Sequence, residues 1–238
     1  MKDVNFSDRH PTENQHIRTR GVKMALIIHC ADIGSVRRGN FGWARLEVDA
    51  SVSACNTGCE IQAFADAVAA DINAGHSVAL GFECPLFVPV PDDPDSLTSA
   101  RPGEGNRPWS AGAGAGSLAT GLTETVWILD RVRRQLSAPC AVHAKWKPFQ
   151  LTGGLFIWEA FVTAEAKADT HHGDAELAAW SFRESLPDPE KQNAVIVDGP
   201  VRSLIGGALL QAGWVSNIAW LAEPCVVIRV RPIINTHR

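Results

Sequence analysis

The apolar and polar positions in the first third of the chain have the periodicities of strands and of one helix. A continuous apolar run over residues 24–31 (MALIIHCA) predicts a strand that is buried on both faces. The segment 41–48 (FGWARLEV) alternates with a period of two, which predicts a second strand, and 50–55 (ASVSAC) predicts a weaker third. Apolar residues recur at helical spacing over 61–72, and a short strand follows over 77–83 (SVALGFE). This order is a β-meander followed by a helix and a further strand.

The composition of the chain changes after residue 83. Residues 84–117 are rich in Pro, Gly, Asp and Ser, and they predict a long loop inside one domain, because helices and strands resume after them. The GAGAG stretch in this loop lacks the Lys and Ser/Thr of a phosphate-binding loop, so we interpret it as a flexible hinge. The pattern beyond the loop predicts helix, strand, helix, strand, helix and strand over residues 118–136, 154–162, 171–182, 193–198, 201–213 and 225–230.

This order of elements predicts one α/β domain over residues 24–238, with a mixed sheet flanked by helices and a C-terminal strand–helix–strand extension. Residues 1–23 are polar, mixed in charge and without an apolar centre, so we expect a flexible arm and no secretory signal. No apolar run is long enough to span a bilayer. Six cysteines without two close pairs at metal-finger spacing favour reduced thiols in a cytoplasmic protein.

The acidic residues carry the candidate chemistry. Asp32 and Glu83 each end a predicted strand, with a helix between the two strands. If those strands pair in parallel through a right-handed connection, both acids emerge at the same sheet edge. Asp174 lies in the first turn of a predicted helix, where the helix dipole favours a negative charge. Converging carboxylates repel one another unless a cation lies among them, and hard oxygen ligands suit Mg²⁺ or Mn²⁺. Taken singly, each acid could instead be a turn cap, a solvent-facing residue or a favourable helix start.

Short motifs around these acids resemble the RNase H-like superfamily, in particular its resolvase-like branch and a set of uncharacterised bacterial proteins predicted to be RNase H-fold nucleases. HCADIGS resembles the first-strand motif of the superfamily, ALGFECPL resembles its fourth-strand acid, and HHGDAELAAW resembles its closing helix. The resemblance spans residues 24–185 and implies an RNase H-like sheet. It implies that Asp32, Glu83 and Asp174 are catalytic metal ligands. It further suggests that His171 or His172 orients water, shuttles a proton or ligates metal, and that Glu159 is a fourth acid. The two histidines could instead be solvated polar residues, and Glu159 could instead face a neighbouring strand.

The overall charge does not indicate a nucleic-acid partner, because the net charge is −4 and the sequence pI is about 6.1. A nuclease of this composition would have to concentrate its basic residues locally. We expect substrate contacts from Arg37 and Arg38 after the first strand, from Arg107 and Trp109 in the long loop, and from Lys145. Each of these residues could instead be an ordinary surface or packing group.

The expected function is therefore divalent-metal-dependent hydrolysis of phosphodiester bonds in nucleic acid, either DNA or RNA. One alternative is a nucleotide-binding or phosphoryl-transfer protein of the actin and sugar-kinase type, because ADIGS also resembles the first phosphate loop of that group. Another is a non-catalytic binding module on the same fold. The last predicted strand, CVVIRV, could pair between chains, which would give a homo-oligomer.

Overall fold

The fold of this chain is a mixed α/β arrangement in a computed structural model that describes residues 25–48 and 55–231. The strands are β1 Leu26–Asp32, β2 Gly42–Glu47, β3 Cys55–Gly58, β4 Ser77–Glu83, β5 Phe87–Pro89, β6 Val142–His143, β7 Leu155–Phe161, β8 Val201–Ser203 and β9 Val226–Arg229. The helices are α1 Ile61–Asn73, α2 Gly112–Gln135, α3 Trp146–Thr152, α4 His171–Ser185 and α5 Leu204–Gln211. The expected mixed sheet flanked by helices is confirmed.

Seven of these strands form one sheet, in the order β3-β2-β1-β4-β7-β6, with β9 also paired to β7. β1, β2 and β3 are antiparallel, whereas β4 pairs in parallel with both β1 and β7. β6 and β9 pair in parallel with successive parts of β7. β5 and β8 make a separate antiparallel pair. The β-meander and the parallel pairing of β1 with β4 therefore occur as the sequence indicates.

The two faces of the sheet are covered by different helices. Helices α1, α2 and α5 pack on one face, where Ile27 of β1 joins their apolar side chains. Helices α3 and α4 cover the other face, where Ile28 and Trp158 lie. The Trp158 ring packs on Phe182 of α4 with a centroid distance of 4.6 Å. Because successive side chains of a strand point to opposite faces, the sequence position of a strand residue decides which set of helices it meets.

A buried polar network lies on the α1 face. Asp71 of α1 accepts hydrogen bonds from Arg45 of β2 through both carboxylate oxygens, from Nε to Oδ2 and from Nη2 to Oδ1, each at 2.7 Å. The Nε2 atom of the fully buried His29 lies 2.7 Å from Asp71 Oδ2. Burial lowers the pKa of His29. This network connects β1, β2 and α1 through polar groups in addition to their apolar contacts.

Two sequence interpretations of local structure were wrong. The GAGAG stretch is not a hinge but the start of α2, so the loop after β4 ends at Ala111. The glycines allow close packing at this helix start, since a Cβ on Gly114 would lie 2.7 Å from the carbonyl oxygen of Pro108. Residues 193–198 are not a strand, and Asn193 makes only an isolated bridge to Ile228.

Asn193 also occupies the open edge of β9. Its Oδ1 atom accepts the backbone N–H of Val227 at 2.9 Å, and the N–H of Ala194 donates to the Val227 carbonyl at 2.7 Å. The outward hydrogen-bonding groups of Val227 are therefore used within the chain and are not available for pairing with a strand of another chain. A homo-oligomer stays a prediction.

Other predictions concern residues outside the description. The proposed arm over residues 1–23 lies there, and so does the predicted third strand except for Cys55, which is the first residue of β3. No helix in the described ranges has the length and apolar character needed to cross a membrane.

Candidate metal centre and adjoining cleft

Two acids from neighbouring strands lie side by side at the carboxyl edge of the sheet. In the parallel pairing of β1 with β4, Asp32 is directly level with Glu83. Asp32 is two residues beyond Cys30, and Glu83 is four residues beyond Ala79, and both of these apolar residues pack on the α4 face. The alternation of strand side chains therefore directs both carboxylates toward α4. The expectation that the two acids share one edge is confirmed.

Helix α4 adds a carboxylate and an imidazole to this edge. Thr170 caps the helix, because its hydroxyl oxygen accepts the N–H of Gly173 at 3.1 Å, and His171 is the first helical residue. His171 Nδ1 lies 2.6 Å from Asp32 Oδ2, and Asp174 is almost fully buried one turn further on. One ligand atom from each of Asp32, His171 and Asp174 lies within 4.8 Å of the others. These three residues could hold a metal ion.

The start of α4 is close enough to Asp32 because Gly42 of β2 has no side chain. Gly42 pairs with Asp32 across the antiparallel ladder. A Cβ at residue 42 would lie 2.3 Å from the carbonyl carbon of His171 and 2.2 Å from the backbone nitrogen of His172. The glycine therefore allows the helix backbone to lie directly on β2 beside the acid.

A lysine that the sequence analysis did not single out completes the cluster. Lys167 Nζ lies 2.9 Å from Asp174 Oδ2, and the backbone N–H of Ala168 donates to Asp174 Oδ1 at 2.6 Å. Lys167 is a lone lysine seven residues before Asp174, in a segment without a regular apolar period, so the sequence contains no signal that would identify it. Its role follows only from the path of the chain between β7 and α4.

Burial raises the pKa values of two carboxyl groups in the cluster, Asp32 and Glu83. Burial raises the pKa of Asp32, although the hydrogen bond from His171 and the charge of Lys167 act in the opposite direction. Burial and then the charge of Asp32 raise the pKa of Glu83 well above its ordinary value. The Oε2 atom of Glu83 is buried and has no hydrogen-bond partner among the described residues. A divalent cation fits the group of Asp32, His171 and Asp174, because it would favour the ionised carboxylates. Glu83 lies level with Asp32, but its oxygens are not among the ligand atoms that lie within 4.8 Å of one another.

Glu159, the expected fourth acid, points away from this cluster. In the pairing of β4 with β7, Glu159 is level with Phe82, one position before Glu83, so its side chain leaves from the opposite face of the sheet. There its carboxylate accepts hydrogen bonds from Nη1 and Nη2 of the buried Arg101 at 2.9 and 2.5 Å. It also accepts one from the backbone N–H of Leu86 at 2.9 Å. These contacts satisfy Glu159 within the chain and fasten the loop after β4 to β7.

A cleft of about 400 Å³ opens beside the cluster. Its lining includes Asp32, Glu83, Lys167 and His171, together with Arg107 and Trp109 of the long loop. The indole Nε1 of Trp109 donates to the carbonyl of Ser99 at 3.0 Å, which holds the half-buried ring in place. The structure thus brings two of the five predicted substrate-contact residues to the same cleft as the acids.

The other three predicted contact residues have different positions. Arg37 and Arg38 are exposed in a short 3₁₀ turn between Gly34 and Asn40, two residues that line the cleft. Lys145 lies at a separate hollow and pairs with Glu223 at 3.1 Å. The two arginines are therefore near the rim of the cleft, whereas Lys145 is not part of it.

Glu124 of α2 is a further buried acid, on the helix that follows the long loop. This carboxyl is buried, its Oε2 has no hydrogen-bond partner among the described residues, and burial raises its pKa to about 7. The backbone of Gly34 lowers this pKa and the charge of Asp32 raises it. The sequence contains no signal for it, because only the structure shows that Thr120, one helical turn earlier, lines the cleft.

Comparisons of the chain with protein-family models, with curated proteins and with solved structures gave no match.

Proposed function

We propose that this protein is a divalent-metal-dependent nuclease that hydrolyses phosphodiester bonds of nucleic acid. The observation that carries the proposal is the convergence of Asp32, Glu83, Asp174 and His171 at one sheet edge beside an open cleft. Supporting it, the antiparallel meander followed by the parallel strand β4 is the arrangement that the RNase H-like resemblance implies.

Asp32, Glu83 and Asp174 would hold Mg²⁺ or Mn²⁺, because their oxygens are hard ligands in a partly buried site. The bound ion would supply a Lewis acid for the charge that develops on the phosphate oxygens. His171 has a different task. Its Nδ1 atom is held by Asp32 while its side chain is 39% exposed at the cleft, so Nε2 is free to orient a water or to exchange a proton with it.

Substrate contacts would come from the loop side of the cleft. Arg107 is exposed and lines the cleft, where its guanidinium can pair with phosphate oxygens. Trp109 offers an aromatic ring on which a base can stack. Both contacts are independent of base identity, which suits an enzyme that acts on many sequences.

The test is calorimetric titration of Mn²⁺ into the wild type, into Asp32→Asn and into Asp92→Asn, whose carboxylate is exposed in the long loop. We expect binding to the wild type and the Asp92→Asn control, and at least a tenfold loss of affinity in Asp32→Asn. The same proteins are then assayed on labelled DNA and RNA oligonucleotides, where Asp32→Asn should be inactive.

Two results would contradict the proposal. One is the absence of Mn²⁺ binding to the wild type with and without an oligonucleotide. The other is cleavage that persists unchanged in Asp32→Asn, since a contaminating nuclease would then be responsible. Tight ATP binding by a wild type that cleaves no oligonucleotide would favour the nucleotide-binding alternative.

A further inference from the structure

Lys167 places a positive charge inside the carboxylate cluster. Its Nζ atom is 2.9 Å from Asp174 Oδ2, and the side chain is 51% exposed whereas that of Asp174 is 2% exposed. Lys167 also lines the cleft. The ammonium therefore reaches from the cleft to a buried carboxylate and stands between the acids and the solvent.

The charge of Lys167 acts on all three acids and not only on its direct partner. It lowers the pKa values of Asp32 and Glu83, against the effect of burial. Conversely, these two carboxylates and Asp174 raise the pKa of Lys167, although burial alone would lower it. The four groups form one electrostatic unit, so a cation that enters it meets the ammonium as a competitor.

The charges of this unit match one divalent ion. If a bound ion keeps all three carboxylates ionised, they contribute −3 and Lys167 contributes +1, which leaves −2 for the ion to balance. A pair of divalent ions about 3.5–4 Å apart would bring +4 to the same place, next to the existing ammonium. Glu159 also lines the cleft, but its side chain leaves from the opposite face of the sheet and its charge is paired with Arg101, so it adds no fourth charge to the cluster.

We infer that the centre takes a single divalent ion and that Lys167 supplies the additional positive charge that a second ion would otherwise provide. This inference rests on the proposed function for the identity of the site. Lys167 is in this reading a positioning residue, because it fixes Asp174 and sets the number of ions.

The experiment measures how many Mn²⁺ ions bind per chain and how tightly, by calorimetry and by electron paramagnetic resonance, which distinguishes an isolated ion from a coupled pair. Four proteins are compared: the wild type, Lys167→Met, Lys167→Arg, and Lys147→Met, which removes an exposed lysine on α3. Circular dichroism and thermal melts confirm that each one is folded.

We expect one isolated ion per chain in the wild type, in Lys167→Arg and in Lys147→Met. Lys167→Met should bind its first ion about tenfold more tightly, the order expected when one like charge is removed close to a divalent ion, and should accept a second. A coupled pair of ions in the wild type would overturn the inference and leave the proposed function intact. The inference would also be overturned if Lys167→Met bound Mn²⁺ with the affinity and ion count of the wild type. The same holds if Lys167→Arg bound Mn²⁺ like Lys167→Met.

A different result would contradict the proposed function itself, namely the absence of any Mn²⁺ binding to the wild type. If Lys167→Met does not fold, the number of ions bound by the wild type still decides the inference. Two ions per chain contradict it, whereas one isolated ion in both the wild type and Lys167→Arg supports it.

Discussion

The buried carboxylate of Asp71 should make the stability of this protein depend on pH in the acid range. Burial by itself raises the pKa of Asp71, but the hydrogen bonds from His29 and Arg45 more than offset this and leave the pKa at about 2. In the unfolded chain the ordinary value of 3.8 applies. Because the pKa is lower in the folded state, ionised Asp71 stabilises the fold above about pH 4, and this stabilisation is lost as the pH falls toward 2.

The size of the effect follows from the two pKa values. A carboxyl whose pKa falls from 3.8 to about 2 on folding contributes about 2 kcal/mol at neutral pH. By pH 3 about 1 kcal/mol of this is gone, because the unfolded state is by then mostly protonated. Asp71→Asn removes the ionised group and leaves Arg45 without its bidentate partner, so it should lower the free energy of unfolding by about 2 to 4 kcal/mol at pH 7.

The assay is urea denaturation of the wild type and Asp71→Asn at pH 7, 5, 4 and 3. Asp66→Asn is the matched control, because Asp66 is on the same helix but exposed, and it should change stability by less than about 0.5 kcal/mol. The difference between the wild type and Asp71→Asn should narrow by about 1 kcal/mol between pH 5 and pH 3. A difference that stays constant over this range would refute the assignment of a lowered pKa to Asp71.

Two further changes test the roles of Glu159 and of Gly42. Glu159→Gln removes one carboxylate partner of the buried Arg101, which keeps its ion pair with Glu104, so we expect a loss of about 2 to 3 kcal/mol in the free energy of unfolding, measured with urea. Mn²⁺ affinity should be unchanged, and weaker Mn²⁺ binding would place Glu159 in the metal centre after all. Gly42→Ala places a Cβ against the backbone at the start of α4. Calorimetry should therefore show weaker Mn²⁺ binding, and thermal melts should show a loss of about 1 to 3 kcal/mol in the free energy of unfolding. Gly116→Ala in α2, where the added methyl meets open space, should instead be neutral or stabilising by up to about 1 kcal/mol. Equal effects of the two alanines would contradict the close approach at Gly42.

The elements around the candidate site can be predicted from the sequence because their signals are local. The run SVALGFE corresponds to β4 residue for residue, and the first helical residue of the predicted helix from His171 is also that of α4. A strand that ends on an acid, followed by a helix and another strand that ends on an acid, leads to the neighbouring positions of Asp32 and Glu83, since right-handed parallel connections bring such ends to one edge.

The local signals failed where packing between distant segments decides the structure. GAGAG has the composition of a hinge, but contacts with Pro108 and Trp109 and the long helix behind it favour a helical start. The stretch around Asn193 has the apolar content of a strand, but its backbone pairs with β9 at one residue only. Composition indicates which conformations a segment can adopt, and these tertiary contacts decide which one it does adopt.

The sequence pattern does not identify the charged partners of the site. β7 is buried on both faces, so its apolar run gives no period that assigns Glu159 to a face, and the register with β4 alone directs it to Arg101. Lys167 enters the cluster through a segment without periodicity, and His171 meets Asp32 from 139 residues away. Hydrophobic periods report which face of an element is buried, whereas the partner of a charge depends on the register and path of segments that are remote in sequence. The sequence therefore predicts the strands β1 and β4, the helix α4 and two adjacent acids, and the tertiary structure decides which charges surround them.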